Sequence, residues 1–296
     1  MLCCAGLLRA ADTVWLARIG KVTVNSQDVD RELARVIAKI PSDQALVAKL
    51  REATLQEAVR RELALQWFES QGQAASDADV DLELSRRRKD LQSRQTEWAA
   101  FLKASQHTEA SYRRETKWRL SWLTYLQTQL ADANLQRYFA KHRAEFDGTE
   151  LRVSHILWKA PATGSQTDWK TLEQEAFVVQ KQIAAGELTF AKAAEKHSQA
   201  PTATTGGDIG FIGRHGPMPE AFSQTAFGLK SGEVSAPIAT TFGVHIIQVT
   251  EVKAGTRAWT DAREDLKAAV TRYLFQWISD KQAANVKVEY STGATP

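Results

Sequence analysis

The chain has 296 residues, of which 43% are hydrophobic and 25% are charged. This composition excludes a disordered tail, a collagen-like rod and a disulfide-rich scaffold, and the length predicts about two domains. The 38 basic and 35 acidic residues give a net charge of +3, which does not call for a nucleic-acid partner. Eleven of the 16 glycines and five of the seven prolines lie within residues 148–243. We therefore expect two kinds of architecture in one chain.

Residues 1–11 form a short apolar stretch that ends in small residues. We expect a weak or truncated export signal there or, equally, a frayed hydrophobic tail. The stretch is too short to span a bilayer. Cys3 and Cys4 both lie within it, so we expect no structural disulfide and no thiolate metal site in the rest of the chain.

Residues 12–150 are expected to be mostly helical. Residues 14–24 alternate in the manner of a hairpin, and Ser26 begins a helix. Apolar residues then recur every three or four positions, which is the helical period. Residues 256–292 predict a further helix and a short terminal strand, whose most natural partner is the N-terminal hairpin. We therefore expect these two segments to form one discontinuous helical domain.

Residues 151–252 carry a different pattern, in which strand and helix signals mix with glycine-rich loops. This pattern predicts a compact α+β domain inserted into the helical domain. The expected elements are a strand at 151–157, a helix ended by Gly186, a short helix at 190–197, a loop-rich stretch at 198–222, and strands near 234–238 and 244–252.

Two histidines interrupt apolar strand faces in this domain. His155 shares a face with Val153 and Leu157, and His245 shares one with Ile247. Taken singly, each is either a hydrogen-bonded core histidine or part of a site. No third ligand stands at metal-binding spacing, no nucleophile elbow is present, and the glycines of GGDIGFIG do not open a helix as a nucleotide loop does.

Several motifs of residues 151–252 occur in the order found in one known family. They are VSHIL, FAKAAEKHS, GGDIGFIGRHGPMPEAF, AFGLKSGEVSAPI and TFGVHIIQV. In these motifs the domain resembles a parvulin-type (PpiC, or rotamase) peptidyl-prolyl cis-trans isomerase. The flanking helical segments resemble those of the exported foldases and chaperones SurA and PrsA, on the stretches ARIGKVTV and LQRYFAKHRAEF.

The resemblance implies a site built from two groups of residues. One group organises hydrogen bonds and the other forms an apolar cup for the proline ring; taken singly, Met218, Phe222 and Phe242 would be simple core residues. One position departs from the family, because Ala200 stands where a Cys or Asp facing the histidines is usual. The implied catalytic residues are His155, His245 and Thr240, and the implied substrate-binding residues are Ile209, Met218, Phe222 and Phe242.

The resemblance further implies an isomerase and chaperone that binds unfolded, proline-containing polypeptides outside the cytoplasm, in the periplasm, without a metal or cofactor. We expect no nucleic-acid partner, and membrane contact is not indicated. The loop after His155 lacks a basic cluster, so no phosphate-specific recognition is expected. Two alternatives are a chaperone whose parvulin domain is catalytically weak or silent because of Ala200, and an assembly subunit in which both histidines are core residues.

Overall fold

The structure is a computed structural model that describes residues 14–37, 44–160 and 166–292. The described residues form two compact units: one runs up to Ala131 and resumes at Ala269, and the other is Asp132–Ala268. The fold class is therefore as predicted, with an α+β unit inserted into a mostly helical one. The predicted domain limits stay predictions, and the expected export segment lies outside the described residues.

Helices dominate the first half of the chain, and strands and helices alternate in the second. In chain order the elements are β1 (Trp15–Ile19), β2 (Val22–Asn25), α1 (Ser26–Ile37), α2 (Gln44–Ser70), α3 (Asp77–Ser93), α4 (Trp98–Ala104), α5 (Glu109–Gln129), α6 (Asp132–Lys141), α7 (Arg143–Phe146), β3 (Glu150–Lys159), α8 (Gln166–Ala184), α9 (Phe190–His197), a 3-10 turn (Ala203–Thr205), β4 (Asp208–Gly213), α10 (Glu220–Gly228), β5 (Ile238–Thr240), β6 (Gly243–Lys253), α11 (Arg263–Ala283) and β7 (Val288–Tyr290).

The helical unit contains a small sheet that joins its two chain segments. The strand order is β2-β1-β7, and β7 pairs antiparallel with β1, so that Ala17 faces Tyr290 and Ile19 faces Val288. The predicted pairing of the terminal strand with the N-terminal hairpin is thus confirmed. The sheet buries Ile19 against α2, whose Leu55 is also buried.

Helix ends and helix faces in this unit follow from local sequence. Ser76 caps α3 by accepting a hydrogen bond from the Asp79 amide, and the Asp79 carboxylate accepts one from the Ser76 amide in return. An aromatic cluster lies between helices of the unit, where Phe68 is fully buried and Trp118 and Trp122 stack with ring centroids 5.5 Å apart. Ile278 of α11 belongs to the same core.

The inserted unit is built on an antiparallel sheet of order β4-β3-β6-β5. Alternation along β3 and β6 sends side chains to opposite faces. On one face, Ile156 and Ile246 pack against α8 and α9, which contribute Val179 and Phe190. On the other face, Val153 and its neighbours pack against α10. The sheet is therefore covered on both faces, and the face under α10 is the one that carries the histidines.

Two parts of the inserted unit differ from the prediction. The stretch expected to be loop contains β4, which pairs with β3; its glycines hide the alternation that marks a strand. The strand expected near 234–238 begins only at Ile238, and Val234 makes a single isolated bridge to Gln248. Pro237 explains the late start, because proline has no N–H to donate to a strand ladder.

Within the inserted unit, the segment before β3 and the segment after β6 meet at Asp147 and Thr149. The Asp147 carboxylate, which is buried, accepts hydrogen bonds from the amide and hydroxyl of Thr149. The Asp147 carbonyl accepts one from the Arg257 amide at 2.8 Å, and Thr149 Oγ1 accepts one from the Gly255 amide at 3.1 Å. These two segments are thus tied to each other by a polar network around the buried Asp147 and Thr149.

Candidate active site

The histidines lie side by side on the sheet face that α10 covers. In the antiparallel register of β3 and β6, His155 is opposite Ile247 and Leu157 is opposite His245. The two histidines are therefore diagonal neighbours, a relation that lets long or aromatic side chains touch. Their rings stack with an interplanar angle of 21° and a centroid separation of 5.5 Å.

A chain of hydrogen bonds links both rings to Thr240, which lies on β5. The two Nδ1 atoms are 3.3 Å apart, and Nε2 of His245 is 2.8 Å from Thr240 Oγ1. Thr240 Oγ1 also accepts a hydrogen bond from the Phe242 amide at 3.1 Å. The structure thus brings together the three residues predicted to be catalytic.

One tautomer assignment that satisfies this chain has the Thr240 hydroxyl donating to His245 Nε2. The Thr240 hydroxyl has two acceptors within reach, and His245 Nε2 at 2.8 Å is much nearer than the Gly243 carbonyl at 3.5 Å. With Nε2 of His245 accepting, its Nδ1 carries the proton and donates it to Nδ1 of His155. A neutral His155 then holds its own proton on Nε2, so this ring offers a donor at the end of the chain.

Burial keeps both rings neutral at neutral pH. It lowers the pKa of His155 below its ordinary value, and burial together with the nearby His155 lowers the pKa of His245 to about 4. Phe222 of α10 contributes to this apolar surrounding. It is 1% exposed, and its ring meets the rings of both histidines edge-on, at 5.8 and 5.4 Å between centroids.

The residues predicted to form the proline cup differ in how far they are buried. Ile209 and Met218 are partly buried and pack against the same cluster as Phe222. Phe242 is 62% exposed in the turn between β5 and β6, and its amide donates a hydrogen bond to Thr240 Oγ1. An exposed apolar ring at this turn is suited to contact with a ligand.

Ala200 is held close to β3 by polar contacts of its neighbours. Ser198 Oγ accepts hydrogen bonds from the amides of Leu157 and Ala200, at 3.1 and 3.2 Å, and Gln199 Oε1 accepts one from the Lys159 amide at 2.7 Å. Ala200 itself is 6% exposed. Its methyl group supplies neither a charge nor a hydrogen bond, so the polar group usual at this position is missing.

Gly207 fixes the backbone of His155, a role that we did not predict. Its carbonyl accepts a hydrogen bond from the His155 amide at 2.9 Å, and its φ is +82°. A Cβ at this position would lie 2.3 Å from the His155 carbonyl oxygen. Only glycine allows both this approach and this φ. The paired glycines at 206–207 were the available signal, since a positive φ is a common reason for such a pair.

Comparison with known proteins finds a family match in each of the two parts of the chain. Residues 155–251 match the PPIC-type PPIase domain family, and residues 4–124 match the SurA-like N-terminal domain family. The foldase PrsA of Bacillus subtilis is 34% identical over 161 residues, covering 54% of this chain and 47% of the relative. A parvulin-like PPIase of Rickettsia prowazekii is 32% identical over 174 residues, covering 55% and 56%. The chaperone SurA of Aromatoleum aromaticum is 27% identical over 139 residues, covering 47% and 31%.

Residues 155–251, which contain most of the antiparallel sheet and the helices on both its faces, form a PPIC-type (parvulin-type) PPIase domain within the inserted unit. The chain spans about half the length of the PrsA relatives that it matches. It combines a PpiC-type PPIase domain with a SurA-like N-terminal domain, as its motifs predicted.

Proposed function

We propose that the protein is a peptidyl-prolyl cis-trans isomerase and chaperone that acts on unfolded, proline-containing polypeptides. The observation that carries the proposal is the hydrogen-bonded chain from Thr240 through His245 to His155, lying against the buried ring of Phe222. PPIase or foldase activity is also what the names of the PrsA and parvulin-like relatives state for those proteins.

The reaction needs no covalent intermediate. Rotation about an X–Pro bond is slow because amide resonance sets a barrier of roughly 18–20 kcal/mol. A site accelerates the rotation when it binds the twisted amide more tightly than either planar form. An apolar cup of Ile209 and Met218, backed by the buried ring of Phe222, would take the pyrrolidine ring out of water, which otherwise stabilises the more polar planar amide.

The neutral histidine pair fits this chemistry. A charged imidazolium beside an apolar cup would be costly, and burial prevents it by lowering both histidine pKa values. The donor left on His155 Nε2 would hydrogen-bond the substrate backbone, while Thr240 and His245 fix the orientation of the His155 ring. We assign His155 to substrate contact and the other two residues to positioning it.

A proline-limited peptide assay with the full chain tests this proposal. We expect acceleration of isomerisation, and we expect Met218→Ala and His155→Ala to lower kcat/KM about tenfold each, a loss of about 1.4 kcal/mol in transition-state stabilisation. Phe177→Ala serves as the control, because Phe177 is an exposed apolar residue on α8, which packs on the opposite sheet face. A wild-type rate equal to the uncatalysed rate would refute the enzymatic function.

A second candidate function is a chaperone whose isomerase domain turns over weakly or not at all. Ala200 favours this candidate, because a buried methyl group stands where the family usually places a Cys or an Asp. Under this hypothesis the apolar cup still binds proline segments, and suppression of client aggregation by the full chain survives the loss of turnover.

Ala200→Asp separates the two candidates. If a charged or hydrogen-bonding group at this position assists rotation, we expect Ala200→Asp to raise kcat several-fold, while Ala200→Asn, of the same size but uncharged, raises it less. The carboxylate would be buried, so its cost in stability is several kcal/mol unless it is hydrogen-bonded, and thermal unfolding should be recorded with the rates. An unchanged or lower kcat in a folded Ala200→Asp variant would show that Ala200 does not limit turnover.

Location and substrate range belong to the same proposal. We propose that the protein acts outside the cytoplasm, in the periplasm, in line with the SurA-like match. Among the described helices, none combines the length and the hydropathy that a bilayer span requires. We also propose no preference for phosphorylated substrates; residues 161–165 of the loop after His155, on which that prediction depends in part, lie outside the described residues.

A further inference from the structure

Arg214 lies in the loop that connects β4 to α10 and forms ion pairs with two glutamates. Among the arginines of the ion pairs described, its side chain is the most buried. Its side chain is 9% exposed. Its Nη1 and Nη2 donate to the two carboxylate oxygens of Glu220 at 3.0 and 2.6 Å, and its Nε donates to Glu145 Oε2 at 3.3 Å. A paired fork of this kind fixes direction as well as distance.

The loop that Arg214 organises carries part of the proposed proline cup. Met218 follows four residues later, and Glu220 begins α10, the helix that places Phe222 against the histidines. The Arg214–Glu220 fork therefore closes the loop on which Met218 stands. Displacing Arg214 would shift the start of α10 and the side of the cup formed by Met218.

Glu145 belongs to α7, which precedes the part of the chain that matches the PPIase family. Its second oxygen, Oε1, lies 2.7 Å from His142 Nδ1, and the His142 ring stacks on Tyr138 at 4.3 Å. The next residue, Phe146, is buried and contacts the ring of His215 in the same loop, at 5.8 Å between centroids. Glu145 and Phe146 of α7 thus contact the neighbouring loop residues Arg214 and His215.

We propose that Glu145 and Arg214 are positioning residues of the isomerase site, through which α7 sets the place of the Met218 loop and hence the affinity for proline substrates. This inference rests on the proposed function of the site. It extends that site to a helix outside the family match. Because the contact positions the cup and not the histidines, it acts on substrate binding more than on the rotation itself.

The test compares Glu145→Gln with Glu150→Gln in the full chain. The control makes the same chemical change in the same unit, at a half-buried residue of β3 that pairs with Lys253. For Glu145→Gln we expect KM for a proline peptide to rise about three- to tenfold with kcat within about twofold of the wild type, whereas Glu150→Gln leaves both unchanged. Arg214→Gln should raise KM too, and the double variant should fall short of the product of the two effects.

Hydrogen exchange of the amides of residues 213–216 and 218 provides a readout that does not need turnover. We expect these amides to exchange at least about threefold faster in Glu145→Gln than in the wild type or in Glu150→Gln. Equal exchange and equal KM in the two variants would overturn the inference, as would a loss in kcat alone. If the wild type lacks isomerase activity, the proposed function fails by itself, and the exchange rates together with the Kd for the same peptide still decide the role of Glu145.

Discussion

At the scale of single residues, burial lowers the pKa values of the two histidines and keeps both rings neutral. His155 and His245 could be predicted as candidates because each interrupts an alternating apolar strand. The bond between them could not, because it depends on a pairing register between strands ninety residues apart. The lowered pKa values of the pair could not be predicted either, since they come from burial, to which the edge-on ring of Phe222 contributes.

We expect His245 to remain neutral down to about pH 5. Its pKa in the folded protein is about 4, below the ordinary value of 6.5, so the unfolded chain binds more protons between these values. The contribution of neutral His245 to the free energy of unfolding is therefore fully present above pH 6.5. It decreases as the pH falls from 6.5 to 4, by at most about 3 kcal/mol in total. Titration of the histidine Cε1 resonances by NMR checks this expectation. A His245 midpoint near 6.5 would contradict it.

At the scale of elements, the sequence was least informative where glycine dominates. The strand β4 was expected to be loop, because Gly210 and Gly213 remove side chains whose alternation identifies a strand. The helices were predictable for the opposite reason. Along α11, Leu266 and Ile278 are both buried, on the face that a spacing of four residues predicts. Side-chain periodicity thus decided which elements could be found.

Gly207 and Gly210 offer a matched pair for testing the approach of β4 to His155. Both have a positive φ, +82° and +78°, but a Cβ on Gly207 would meet the His155 carbonyl oxygen at 2.3 Å, and one on Gly210 would meet nothing within 4 Å. Gly210→Ala should cost about 1–2 kcal/mol from backbone conformation alone. We expect Gly207→Ala to cost at least about 2 kcal/mol more and to lower isomerase activity, because the β3 backbone has to move.

Calorimetry of the full chain, with isomerase rates measured in parallel, compares the two alanine variants. Equal melting temperatures would mean that the close approach to His155 adds nothing to the conformational cost. A normal isomerase rate in a destabilised Gly207→Ala variant would mean that this contact supports the fold without ordering the site.

At the scale of the whole molecule, the discontinuous arrangement followed from one short segment. Because the terminal strand has no partner near it in the sequence, we predicted that it pairs with the N-terminal hairpin, and β7 indeed pairs with β1. The roles of the aromatic residues could not be predicted in this way. Spacing alone does not distinguish a core tryptophan from one in a binding groove, whereas the structure packs Trp118 and Trp122 against the buried ring of Phe68.

The pairing of β7 with β1 also sets an order for folding. During synthesis the N-terminal residues emerge first, yet the sheet that they begin is incomplete until Val288–Tyr290 has followed. The unit of Asp132–Ala268 is continuous, so all of its residues are present earlier. Domains generally fold as their residues become available. The helical unit, whose first residues are made first, is therefore completed last. Until β7 has been made, the PPIase domain can be folded while the helical unit still lacks a strand.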